Sequence, residues 1–247
     1  MTKLKATIRK RCELNARDVA AMYALYRAYY AQTDDRLFEQ DMAGKSHVIE
    51  LHGDTGLQGF STLELLRLES DGARQMVVFS GDTIIDQASW GEQALSLAFC
   101  EFAGRVKATF SIDPLYWFLI SKGYRTYRYL SLFARDYYPS YTAPTPHAMQ
   151  SRLDTIARHK FRDAYDAASG LIRFQSPHGH LKPQWAGIRE GLRQRPEIQF
   201  FLERNPHYNK GDELACLTKL EAGNLRSLAR RAFVAGLAHP LTQLDVH

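Results

Sequence analysis

Three strand-like segments follow one another between His47 and Ser80, and this run constrains the fold more than any other feature of the chain. His47–His52 and Gly59–Leu68 flank the turn Gly53-Asp54-Thr55-Gly56, and Arg74–Ser80 carries the unbroken apolar run Met76-Val77-Val78-Phe79. Apolar and β-branched runs bounded by glycine-containing turns read as strands. The middle of the chain is therefore sheet, and its neighbours must cover it. Lys3–Arg11 alternates apolar Leu4, Ala6 and Ile8 with polar Lys5, Thr7 and Arg9, which is a strand's period. Asn15 is a good N-cap for a helix over Ala16–Ala31, where Val19, Met22, Tyr23, Tyr26 and Tyr30 recur at helical spacing. Thr33 or Asp34 caps a short helix running through Met42.

After Ser80 the pattern predicts a loop over Gly81–Ser89, a helix over Trp90–Gly104 and a short strand over Val106–Ile112. Asp113-Pro114 then reads as the start of a helix that stops at Gly123, and Tyr124–Ala134 alternates like a strand. The expectation is an α/β (α+β) fold. Strands at 3–11, 47–52, 59–68, 74–80, 106–112 and 124–134 share one mixed central sheet flanked by helices.

The texture changes at Pro139, where Pro139, Pro144 and Pro146 punctuate a linker. Beyond it the sequence predicts a helix over 149–169, a strand at Leu171–Phe174, and helices over Gln184–Gln194, Pro196–Arg204 and Leu214–Ala238. Two parts are expected: a sheet domain over 1–140 and a mainly helical region over 141–247 packed on it. The net charge of +5 divides unevenly between them. Residues 1–150 hold 17 basic and 17 acidic side chains, and residues 151–247 hold 15 and 10. A basic C-terminal region suits an acidic partner: RNA, a phosphorylated ligand or an acidic carrier protein. No apolar run approaches the roughly 20 residues of a membrane span. Met1–Arg11 has no signal-peptide pattern, and three scattered cysteines fit a reducing cytoplasm.

Two local patterns carry a resemblance. The first is the strand Met76–Phe79, the loop ending Ile84-Ile85-Asp86-Gln87 and the helix opening Trp90-Gly91-Glu92-Gln93-Ala94-Leu95. The second is Phe118-Leu119-Ile120-Ser121-Lys122-Gly123-Tyr124-Arg125. Together with the element order over about the first 135 residues, they resemble the GNAT (Gcn5-related N-acetyltransferase) family. The resemblance implies an N-acyltransferase that moves an acyl group from a thioester donor, acyl-CoA or an acylated carrier protein, to an amine. It implies a donor site at Phe79, Ser80, Trp90, Gly91, Glu92, Gln93 and Ala94, where helix N-terminal amides hold phosphate. The family keeps a basic residue and glycines where this chain has Trp90, Gln93 and Leu95. Filling those positions points to a pantetheine arm presented on a carrier, or to a non-catalytic binding or regulatory module that kept the fold. Many members place a tyrosine acid four residues before the glycine. Here that position is Leu119, and Tyr116 lies one turn away.

A general base is sought among Glu64, Glu69, Asp82 and Asp86, with Glu64 and Asp82 preferred: the first lies mid-strand, the second beside the donor loop. No metal is expected, because His178-Gly-His180 lacks a third ligand. There is no P-loop and no serine-hydrolase elbow. The Tyr and Arg residues of 124–129 would sit on opposite faces of a strand, which disfavours nucleic acid. Asn205–Glu213 reads as a turn between helices.

Overall fold

The computed structural model describes residues 4–70, 73–176 and 178–242. Strand β1 (Lys5–Lys10) leads into helix α1 (Ala16–Tyr29), the short strand β2 (Tyr30–Ala31) and helix α2 (Asp35–Ala43). Three long strands follow: β3 (His47–Gly53), β4 (Gly56–Ser70) and β5 (Ala73–Ile85). Helix α3 (Ala94–Thr109), strand β6 (Leu115–Ser121) and helices α4 (Tyr124–Phe133) and α5 (His147–Phe161) come next. Short strands β7 (Tyr165–Asp166), β8 (Leu171–Ile172) and β9 (His180–Leu181) precede short helices α6 (Pro183–Ala186) and α7 (Glu190–Arg193). Helix α8 (Pro196–Arg204), strand β10 (Glu213–Lys219) and helix α9 (Ser227–Leu237) complete the described chain.

Eight strands form one sheet in the order β1-β3-β4-β5-β6-β10-β8-β7, and β2 pairs with β9 apart from it. Neighbours in the large sheet are antiparallel except β5 and β6, which are parallel. Alternation along β5 divides the core, because successive side chains point to opposite faces. Met76 and Val78 face α3, α4 and α9, where Phe102, Tyr127 and Phe233 are buried. Val77 and Phe79 face α5, meeting Leu153 and Ile156. A third cluster joins Met22 and Tyr26 of α1 and Phe38 and Met42 of α2 to Val48, Phe60 and Ile84. Asn15 caps α1 by accepting from the Arg17 and Asp18 amides, and Asp34 caps α2 through the Leu37 amide.

Several expectations are corrected. Residues 81–85 continue β5 instead of looping, because they keep pairing with Gly59–Ser61 of β4. The helix begins at Ala94 and runs through Thr109, so 106–112 is not a strand. Leu115–Ser121 is a strand, not a helix, and the Pro114 carbonyl accepts from the Met76 amide as the sheet begins. Its side chains are apolar on both faces, and such a run carries no period to tell strand from helix. Tyr124–Phe133 is a helix, not a strand: Tyr124, Tyr127 and Leu130 bury one face at a spacing of three. Glu213–Lys219 is again an apolar strand where the pattern predicts a helix, and only α9 is helical beyond it among the described residues. Helix α5 ends at Phe161. The chain beyond residue 140 thus adds β7, β8 and β10 to the sheet. No helix among the described residues is long and apolar enough to cross a membrane.

Candidate active site

The parallel pairing of β5 and β6 runs from Met76–Leu115 to Ser80–Leu119 and then ends. Beyond it β5 continues against β4 as far as Ile85, while β6 continues against β10. The facing edges part, and their backbone groups lose ladder partners. Trp117 marks the fork, donating from Nε1 to the buried Ser80 hydroxyl at 2.8 Å. Ser80 is therefore engaged as an anchor. Two cavities open at the fork, of about 630 Å³ and about 300 Å³, and Tyr30, Thr83 and Thr126 line both.

The larger cleft runs past Trp90–Gln93 and Ser96 to α4 and Trp185. The turn before α3 is tied down locally. Asp86 accepts from the Ala88 amide and the Tyr29 hydroxyl, whose oxygen accepts from the Gln87 amide at 2.6 Å. Trp90 Nε1 donates to the Ile85 carbonyl at 2.9 Å, so the indole forms a wall of the cleft. Arg125 lies over that indole at 4.2 Å, and Trp185 meets it edge-on at 5.7 Å. Gly91 has φ +99°, a conformation that favours glycine. Gln93 precedes α3 without a side-chain cap, so the first-turn amides of that helix have no side-chain acceptor there. Arg125, Arg128 and Arg189 line the same cleft. Cationic side chains, uncapped helix amides and aromatic walls suit a ligand with an anionic head and a long arm. Ala94 opens α3, whereas Leu95 is buried in the core and narrows nothing.

The smaller cavity is lined by lysines and carboxylates. Lys45 Nζ lies 2.7 Å from Asp41, Lys122 Nζ 3.2 Å from Glu213, and Lys160 Nζ 2.5 Å from Glu64. Lys45 and Lys160 also sit over the Phe79 ring, at 5.2 and 5.1 Å. Glu64 is buried in this network, so its carboxylate is committed to lysines. Asp82 lines the cavity and has neither hydrogen bond nor ion pair among the described residues. Burial, reinforced by Asp41, pushes its carboxyl up to about 7, against the pull of Lys122 and Lys45. Burial likewise raises the phenols of Tyr26 and Tyr30 and the Glu213 carboxyl, the last held back by Lys122.

Trp90, Gly91, Glu92 and Gln93 line the larger cleft, Asp82 and Phe79 line the smaller cavity, and among the described residues the two are joined only through Tyr30, Thr83 and Thr126. The fork does not take in Tyr116, which is buried against α5 with Arg152 over its ring at 4.8 Å. Sequence reasoning misses Tyr30, Lys122, Arg125 and Glu213. The Lys122-Gly123 step is visible in the sequence, but it reads there as a helix stop; in fact a strand ends there and α4 begins.

No family model and no curated protein matches the sequence. Among solved structures, the chain is similar to an acyl-CoA N-acyltransferase from Pseudomonas aeruginosa, at 15% identity over 47% of this chain and 79% of that one, TM-score 0.35. It is also similar to a GNAT family N-acetyltransferase from Escherichia coli in complex with CoA, at 13% identity over 49% and 64%, TM-score 0.35. A third is a conserved protein of unknown function from Enterococcus faecalis V583, named a probable N-acyltransferase, at 13% identity over 54% and 33%, TM-score 0.40. The matched region spans a third of that protein. At such identities and scores the likeness carries no argument about the chemistry. The mixed central sheet flanked by helices is the one the GNAT resemblance implied, with the loop into α3 beside the parted strands.

Proposed function

We propose that the protein is an N-acyltransferase, taking an acyl group from a pantetheine thioester in the larger cleft and passing it to an amine in the smaller cavity. The observation that carries this is the meeting of the two cavities at Tyr30, Thr83 and Thr126, where β5 and β6 part. Direct transfer needs two reactants held at one point, and that alone lowers the barrier substantially. Unpaired backbone groups on the edge of 81–85 suit a thioester carbonyl.

Arg125, Arg128, Arg189 and the α3 amides would hold the donor's phosphates, with Trp90 and Trp185 against its arm. Acyl-CoA and an acyl carrier protein both present such an arm, and the basic residues of 151–247 suit the carrier. The amine nitrogen attacks the thioester carbonyl carbon, the C–S bond breaks and the sulfur leaves. Asp82 takes the amine's proton. Tyr30, kept protonated by burial, donates to the departing sulfur, a role that Tyr116 is too far under α5 to fill. Glu64 orders Lys45 and Lys160. In this reading residues 1–140 form the acyltransferase domain, and 141–247 complete its sheet and cover the cleft. Free Cys12, Cys100 and Cys216 suit a cytoplasmic enzyme.

The test titrates acetyl-CoA, a long-chain acyl-CoA and acyl carrier protein into the wild type by calorimetry, and follows thiol release with amines present. Binding of a donor with amine-dependent thiol release is expected. Absence of binding by every donor, with no gain in Trp90→Arg/Gln93→Gly, would instead assign the chain to the non-catalytic class.

A further inference from the structure

We infer that the acceptor is a small organic cation, a diamine or polyamine with no free carboxylate or phosphate. This rests on the smaller cavity being the acceptor's, as proposed above, and on how its charges are matched. Each lysine lining it is already paired: Lys45 with Asp41, Lys122 with Glu213, Lys160 with Glu64. The acids are not all matched in return. Asp82 has no partner among the described residues, and Asp34 at the exposed mouth gives one carboxylate oxygen to the Leu37 amide at 2.9 Å and keeps the other. Among the described residues, the cavity thus offers an inner and an outer carboxylate outside any ion pair, the inner one within the field of Lys45 and Lys122, and no lysine or arginine outside one.

An anionic acceptor would have to take a lysine from its carboxylate, which for Lys122 and Lys160 leaves the buried Glu213 or Glu64 unpaired, a strongly unfavourable outcome. A cation disturbs none of the pairs. The walls agree with this, since Tyr26, Tyr30, Phe79 and Phe174 line the cavity and aromatic faces suit both methylene groups and ammonium. The volume of about 300 Å³ lies at the low end for small-molecule sites. The reacting ammonium binds at Asp82, gives one proton to that carboxylate and attacks as the neutral amine; its second proton passes to Tyr30 as Tyr30 protonates the departing sulfur, so the products are amide, thiol and protonated Asp82. The acceptor's second cation is left towards Asp34.

The experiment is calorimetry on the full chain without any donor, using 1,4-diaminobutane, spermidine, glycine and O-phosphoethanolamine as probes. The two polyvalent cations should bind at least roughly tenfold more tightly than glycine or O-phosphoethanolamine. Asp82→Asn and Asp34→Asn should each weaken them by about tenfold, in keeping with loss of a charge-assisted contact. Both variants are close in shape, and Asn still caps a helix, so thermal melts check folding. Tighter binding of glycine or O-phosphoethanolamine, or unchanged diamine binding by Asp82→Asn, overturns the inference. CoA and acyl carrier protein titrated into the same preparation separate the two readings. CoA binding without diamine preference rejects the acceptor class alone. Diamine binding with no binding of CoA, and none of acyl carrier protein, rejects acyl transfer and keeps the cation site.

Discussion

Asp82 makes the sharpest claims at the scale of a single residue. Its carboxyl stands at about 7, raised by burial and by Asp41 and lowered by Lys122 and Lys45. Proton removal from the acceptor needs the ionised form, so kcat/KM for the amine should rise with pH through about 7. Asp82→Asn should flatten that limb and lower the rate at least roughly a hundredfold, as loss of a general base does. Stability runs the other way. A carboxyl whose folded pKa exceeds its unfolded value of ~3.9 binds more protons when folded. Its contribution is therefore lost as pH rises from there to about 7. Asp82→Asn should gain melting temperature on the wild type progressively between about pH 4 and 8; a constant gap would contradict the raised carboxyl. Arg125 is a second single-residue case. It lies over Trp90 and donates to the Trp185 carbonyl at 3.0 Å. Arg125→Ala should weaken donor binding by about tenfold and reduce its dependence on salt, read by titration at two ionic strengths. Trp90–Gln93 were legible as a loop before a helix because they follow an obvious apolar strand, and they line the larger cleft. Tyr30 and Glu213 were not, because only the fold carries the two ends of the chain to one cavity.

Elements were legible where local chemistry decides them and obscure where burial does. Asn15 and Asp34 announce α1 and α2 through their own side chains, and Gly53–Gly56 announces a hairpin. Leu115–Ser121 and Glu213–Lys219 say only that they are buried, because an interior strand is apolar on both faces. Tyr124–Phe133 misleads in the other direction, since aromatic residues favour strands yet here line one helix face. The same scale holds a packing prediction. Helices α3 and α9 touch backbone to backbone at Gly104 and Gly236: a Cβ on Gly104 would collide with the Phe233 carbonyl, and one on Gly236 with that of Glu101. Helical backbone cannot yield as a side chain can. Gly104→Ala should cost about 3 kcal/mol, the upper end for overpacking, with a clear drop in melting temperature. Ala at exposed Gly191, which meets nothing, is the control.

For the whole molecule, the decisive fact is that β10 lies inside the sheet, between β6 and β8. A fragment ending at residue 145 would leave that edge of β6 bare, with Trp117, Phe118 and Leu119 deprived of their ladder neighbours Thr218, Leu217 and Cys216. Such an edge is adhesive. Limited proteolysis should therefore yield no stable 1–145 fragment, and that fragment expressed alone should be insoluble; a folded, soluble one would mean the sheet closes without β10. The same topology reaches into biosynthesis. Strand β10 leaves the ribosome only after β1 to β9, so the strands already made must wait with the apolar edge of β6 exposed. Holding chaperones should engage it during translation, and messages cut short before residue 219 should yield products destined for degradation or aggregates.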